Sequence, residues 1–186
     1  MNDQKYVNSA DVNVAHRRPD PLRAKPAAEG YDQASVALIE LLFFAYRDFV
    51  SAPDAVLAKE NFGRAHHRVL HFVTRHPGLS VAELLVILKI TKQSLARVLR
   101  ELIEKRYIEQ RETARDRRKR LLFATPTGRA LALELADLQS QRINSALRDM
   151  PPEAGLAARQ FLFSMIDHAD RPAVERLIGD LTVTGQ

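Results

Sequence analysis

The stretch from Ser80 to Lys105, "SVAELLVILKITKQSLARVLRELIEK", leaves this chain few ways to fold. Ser80 with Glu83 three residues later is the signature of a capping box. Val81, Leu84, Leu85 and Leu88 then follow at helical spacing, which predicts a short helix with one buried face. The segment from Leu88 to Ile90 is long enough only for a tight turn, and Thr91 is placed to cap a second helix running to about Lys105. In that helix Leu95, Val98, Leu99, Leu102 and Ile103 form one apolar stripe, while Lys92, Gln93, Ala96, Arg97 and Arg100 lie opposite. Two short helices joined by three residues, the second with a basic outer face, make a helix-turn-helix.

The flanks extend this unit. "YIEQRET" and "RLLFAT" are short enough to be strands, and between them lies a knot of charge with five basic residues in the six positions from Arg115 to Arg120. Runs of like charge are usually solvated, but here the run sits at the tip, about Ala114 to Lys119, of an expected two-stranded hairpin beside the second helix. Upstream, Val36, Ile39, Leu42, Phe43, Tyr46, Phe49 and Val50 predict an amphipathic helix broken at Pro53, and a further helix is expected from about Phe62 to Arg75, where Pro77 and Gly78 stop it. Downstream, Thr125 and Pro126 open a long helix to about Asp149 that should bury Ala130, Leu131, Leu135, Leu138 and Leu147. Pro152 opens another through about His168, and a last short helix runs from Asp170 to near Gly179. Residues 1–30 read as a flexible tail, with Arg17, Arg18, Arg23 and Lys25 within reach of a polyanion but a plain extension the simpler reading. Phe161, Leu162, Met165, Ile166, Leu177 and Ile178 supply more apolar helix surface than so small a lobe needs, which points to a dimer interface.

Charge locates the contact surface. The chain carries a formal net charge of +5. The span from Lys92 to Arg120 alone holds eleven Lys or Arg against five acids, so the remainder is close to neutral. Concentrating the basic excess in one segment suits a polyanion-binding face. Cysteine is absent, which removes disulfides, thiolate metal sites and cysteine nucleophiles. No apolar run reaches the length of a membrane span and the N-terminus lacks a signal-peptide core, so a cytoplasmic location is expected.

These residues, "SVAELLVILKITKQSLARVLRELIEKRYIEQRE" followed by "DRRKRLLFATPTGRAL", resemble the MarR family of winged helix-turn-helix regulators. Asp116, Arg117, Arg118, Thr125 and Gly128 match the family's wing signature, and the likeness spans about residues 31–168. Two positions where relatives often carry glycine hold Lys89 and Arg106 here, and Ala124 replaces a larger apolar residue. The resemblance implies a mainly α protein with a small β-hairpin wing: a DNA-binding lobe over about 62–125, dimerisation helices over about 31–52 and 126–168, and a short C-terminal helix and tail over 169–186. It also implies a homodimer on a pseudo-palindromic operator, with the second helix of each lobe in a major groove and the wing tips in adjacent minor grooves. Bidentate arginine distinguishes guanine in the major groove, which makes Arg97 and Arg100 the expected readers, with Lys92, Gln93 and Ser94 beside them. Arg118 suits a narrow minor groove, while Arg115, Arg117, Lys119 and Arg120 suit phosphates. Asp116 would repel phosphate, so its expected task is to orient a neighbouring arginine.

Other chemistry is thinly supported. His66, His67, His71 and His76 cluster in "AHHRVLHFVTRH", and His67 and His71 share a helix face at the spacing two zinc ligands need. No acid stands close in sequence, so they read as polar or pocket-lining groups, without a metal or other cofactor. The resemblance implies that a small effector sits between the dimerisation helices and the lobe, where Tyr46, Arg47, His67 and His71 would line the space or serve as core; Phe43 is assigned to the core. With no glycine-rich phosphate loop and no catalytic acid and histidine spacing, an enzyme is not expected. The expected function is sequence-specific transcriptional regulation, most simply repression; the alternative is an architectural DNA-binding protein or a winged-helix protein-interaction module.

Overall fold

The structure is a computed structural model and describes Gly30, residues 32–112 and residues 120–179. Expectations for the N-terminal tail and for the wing tip, including Arg115, Asp116, Arg117, Arg118 and Lys119, lie outside the described residues. The chain forms two compact units, one ending at Leu42 and one beginning at Phe43. Among the described residues it builds α1 (Gln33–Lys59), α2 (Arg64–Arg75), β1 (Leu79–Ser80), α3 (Val81–Leu88), α4 (Lys92–Glu104), β2 (Ile108–Glu112), β3 (Arg120–Ala124), α5 (Pro126–Arg148), α6 (Ala154–Ser164) and α7 (Arg171–Ile178).

The helix starts follow their caps. In the first unit Asp32 receives the Ser35 amide at 3.2 Å, and the Ser35 hydroxyl and backbone amides hold its carboxyl below the usual carboxylate range. Ser80 accepts from the Glu83 amide at 3.3 Å while Glu83 Oε2 accepts from the Ser80 amide at 2.8 Å, the reciprocal arrangement of a capping box. Thr91 accepts from Ser94 N–H at 3.1 Å, and Thr125 accepts from Gly128 N–H at 3.1 Å with Pro126 in the first turn. Each cap satisfies a donor that the helix start would otherwise leave unpaired.

The helix ends are tighter than composition suggests. After α4, Tyr107 N–H reaches Leu102 C=O at 2.8 Å and Arg106 N–H reaches Ile103 C=O at 3.0 Å, a Schellman motif that requires a left-handed residue. Arg106 takes that conformation, with φ 62°, and Lys89 closes α3 with φ 49°. These are the two positions where the family resemblance leads one to expect glycine. A side chain in the left-handed region costs about 1–2 kcal/mol, partly offset by the greater chain entropy glycine would lose. Arg106→Gly is therefore expected to stabilise the fold by about 0.5–1 kcal/mol, read as a rise of about 2 °C in thermal melting.

One expected break is absent. Pro53 lies inside α1, which continues to Lys59. The ring removes one backbone donor, but Val50, Pro53 and Leu57 fall on one helical face and all three are buried, so apolar burial offsets the lost bond. The expected hairpin is also larger than its two strands. β3 pairs antiparallel with β2, Gln110 facing Leu122, and on its other side with β1, Leu79 facing Leu122. The sheet order is β1-β3-β2. Two residues of strand are too few to register as a period, and Ser80 serves both as strand and as helix cap.

The core joins α2, α3, α4, the sheet and α5 through Val69, Leu70, Val73, Leu84, Leu95, Leu102, Ile108, Leu122 and Leu135. In α5 the buried face is Gly128, Leu131, Ala132 and Leu135. Ala130, expected inside, is exposed, and Leu138 and Leu147 are only half-buried. Leu131 and Leu135 are buried as expected, and Gly128 and Ala132 complete the face because Gly128 meets the chain at Tyr107. Among the described residues, α6 and α7 bury none of their side chains fully.

Candidate nucleic-acid interface

Helix α4 presents its two faces as its sequence dictates. Leu95, Val98, Leu99 and Leu102 are buried, which turns Lys92, Gln93, Ser94, Ala96, Arg97 and Arg100 outward, all exposed. Among the described residues, Lys92, Arg97 and Arg100 have no acidic partner within ion-pair distance. Three other cations of the lobe are paired: Arg64 with Asp54 at 2.8 Å, Lys89 with Asp170, and Arg111 with Glu109. Arg111 also lies over the Phe123 ring at 4.4 Å. The outward face of α4 thus carries three cations free of acidic partners. At the root of the wing, Arg120 is exposed and its guanidinium donates to Gln110 Oε1 at 3.4 Å.

The helix is anchored from behind. Gly63 N–H donates to His66 Nδ1 at 3.1 Å, which leaves the proton on Nε2, and Nε2 lies 2.8 Å from Glu101 Oε2. His66 stacks on Phe62 at 4.7 Å, and Phe62 meets Tyr107 edge-on. The Tyr107 hydroxyl donates to Glu60 at 2.8 Å. His66, placed in sequence among polar or pocket-lining histidines, instead ties α2 to α4.

A cavity of about 290 Å³ lies between α1, α2 and α5, lined by Tyr46, Phe49, Val50, Arg64, His67, Arg68, His71, Phe72 and Gln139. It brings together three of the four residues named for an effector. Arg47 is not among the lining residues: its guanidinium turns to Asp48 at 2.7 Å and to the Phe44 ring. Phe43, assigned to the core, is 69% exposed. Arg64 and Arg68 were not foreseen, although Arg64, His67, Arg68 and His71 have the spacing of one helix face.

Burial pushes His67 and His71 below the usual imidazole range; His67 feels His71 as a further positive neighbour, and His71 feels Arg75 and His76. His76, stacked on Phe72, is lowered mainly by burial as well. A histidine held neutral in the fold binds its proton more readily in the unfolded chain. Its stabilising contribution is whole above the unfolded pKa of about 6.5 and is lost as pH falls below it. Thermal stability is therefore expected to fall between about pH 7 and pH 5, and less steeply in His67→Gln. A melting series in buffers of matched ionic strength reads both. Among the described residues no group of three His, Asp or Glu is placed to hold a metal ion.

A capped helix pair with an unpaired basic face, followed by the antiparallel strands β2 and β3, defines a winged helix-turn-helix protein. Comparison with known proteins agrees. The MarR family sequence model matches residues 61–119. Over 133 residues the chain is 47% identical to the HTH-type transcriptional regulator PetP of Rhodobacter capsulatus, covering 72% of this chain and 80% of that one. The chain belongs to the MarR family of transcriptional regulators. Its fold is similar to Streptococcus pneumoniae FabT, solved in complex with DNA, with TM-score 0.63, 16% identity and coverage of 70% and 94% of the two chains. It is likewise similar to MarR itself, with TM-score 0.59, 22% identity and coverage of 80% and 99%. No described helix is long and apolar enough to cross a membrane.

Proposed function

We propose that this regulator acts as a homodimer, binds a pseudo-palindromic operator and represses transcription by covering promoter DNA. The observation that carries this reading is the face of α4, where Arg97 and Arg100 are exposed without acidic partners while the opposite face is locked into the core. Arg97 and Arg100 read guanine edges, Gln93 and Ser94 add lighter contacts, and Lys92 meets phosphate. Arg118 enters the minor groove, oriented by Asp116, and Arg115, Arg117, Lys119 and Arg120 grip the backbone. The dimer reading is supported by apolar side chains left in water. Leu38, Ile39, Leu41 and Leu42 are exposed in the first unit, and Phe44, Leu156, Phe161 and Leu162 in the second; so much exposed apolar surface is unusual on a monomer. A small effector in the Tyr46, His67 and His71 cavity would release the operator by favouring one spacing of the two lobes; the cavity is near the lower end of common ligand volumes.

The test is a fluorescence-anisotropy titration on duplex DNA from the gene's own upstream region and on a scrambled duplex, at several salt concentrations, with the oligomeric state measured by light scattering. Selective binding by a dimer, weakening steeply with salt, is the expected result. Equal affinity for both duplexes, repeated with random-sequence selection, would replace sequence-specific regulation with an architectural role.

A further inference from the structure

We propose that His66 is a positioning residue for DNA reading: it holds the Glu101 carboxylate at the flank of α4 and so keeps Arg97 free to meet DNA. Glu101 stands one turn beyond Arg97 in α4. Side chains four apart on a helix are neighbours, and an arginine and a glutamate at that spacing attract one another. Here they do not pair. His66 Nε2 lies 2.8 Å from Glu101 Oε2, and among the described residues Arg97 has no acidic partner within ion-pair distance. The other cation one turn from Glu101 is Lys105, which is engaged elsewhere: it donates to the Glu60 carbonyl and lies over the Phe62 ring at 4.6 Å. A Glu101 released from His66 therefore has Arg97 as the unengaged cation one turn away.

The imidazole is fixed on every side that matters. The His66 side chain is only 12% exposed, its Nδ1 accepts the Gly63 amide at 3.1 Å, and its ring stacks on Phe62 at 4.7 Å. With Nδ1 committed as an acceptor, the neutral ring donates from Nε2, and a hydrogen bond to an ionised carboxylate is among the stronger ones. The Glu101 side chain is 38% exposed, so its carboxylate is free to swing along α4 once the ring no longer holds it. Such a swing harms DNA binding in two ways of the same sign: it neutralises Arg97, and it sets a negative charge beside phosphate. The inference rests on the DNA-reading role of α4, and its test therefore includes a readout taken without DNA.

The experiment compares full-length wild type, His66→Asn, Glu101→Ala and the double variant. Asparagine keeps an acceptor for the Gly63 amide but is too short to reach Glu101. In DNA-free protein the Arg97 Nε–H signal, assigned by its loss in Arg97→Lys, should move in His66→Asn and return in the double variant. In anisotropy titrations on the duplex that wild type prefers, His66→Asn should bind about two- to fivefold more weakly for each α4 engaged, the worth of one exposed ion pair. Glu101→Ala should bind as tightly as wild type or more tightly, and the double variant should match it. Glu104→Ala, which removes the exposed acid one turn beyond Arg100, should not rescue His66→Asn. A His66–Glu101 contact that only braced α4 would show the opposite pattern, with both single variants weakened alike and no recovery in the double, and that result would overturn the proposal. So would an Arg97 signal that stays in place in His66→Asn. Should His66→Asn fold poorly, Glu101→Ala still decides, since a brace requires it to bind more weakly. A wild type with no preferred duplex would instead sink the DNA reading, and the two failures are told apart because the Arg97 signal is read without DNA.

Discussion

Gly128→Ala is expected to destabilise this protein by about 3 kcal/mol or more, lowering the melting temperature by about 6–12 °C. A Cβ at position 128 would lie 1.9 Å from the Tyr107 carbonyl oxygen and 2.8 Å from its carbon. The obstacle is backbone, so no side-chain rotation relieves it. The Tyr107 carbonyl is also fixed in place, accepting from Thr125 N–H at 3.1 Å, while the Thr125 hydroxyl lies 2.7 Å from the Arg106 carbonyl. Thr125 and Gly128 therefore form a junction that seats the start of α5 against the exit of α4. Gly155→Ala is the control. There a Cβ meets nothing closer than Leu147 Cδ1 at 3.8 Å, and the change should be neutral or raise stability by up to about 1 kcal/mol through helix propensity. Circular-dichroism melts of both variants separate the two outcomes; equal melting would mean that the junction opens without cost.

The second large effect is on DNA. Arg97→Ala is expected to weaken binding to the preferred duplex by about 1–3 kcal/mol, roughly five- to 150-fold, with little loss on random duplex, because a bidentate arginine contact to guanine carries sequence discrimination. Lys92→Ala should instead weaken binding to both duplexes by similar factors and reduce the salt dependence, as loss of one phosphate contact requires. Both side chains are exposed, so neither change should alter melting or oligomeric state. The comparison is made in one anisotropy series. Equal weakening by Arg97→Ala on both duplexes would assign that arginine to phosphate and move sequence reading elsewhere on α4 or to the wing.

Much of this was legible before any coordinates. The caps at Ser80, Thr91 and Thr125 are short-range signals, completed within three residues, and each operates as its spacing indicates. The stripe of Leu95, Val98, Leu99 and Leu102 left α4 only one way to face, and with it the exposure of Arg97 and Arg100. The family was legible as well, because the helix-turn-helix and the wing motif are contiguous in the chain.

What depended on distant parts of the chain was not. Pro53 reads locally as a break, yet helix α1 passes through it because the ring shares a buried face with Val50 and Leu57. The buried face of α5 is completed by Gly128 and Ala132 and not by Ala130, because Gly128 has to meet Tyr107, a residue from beyond the wing. His66 leaves the histidine cluster for Glu101, a choice made by the crossing of α2 and α4 and not by spacing. The sequence alone determined where helices start, which way α4 faces and which family the chain resembles, since caps and periods act over a few residues. The tertiary structure alone decided which residues complete the buried face of α5, the third strand and which histidines share a cavity, since each depends on contacts between segments that only packing brings together.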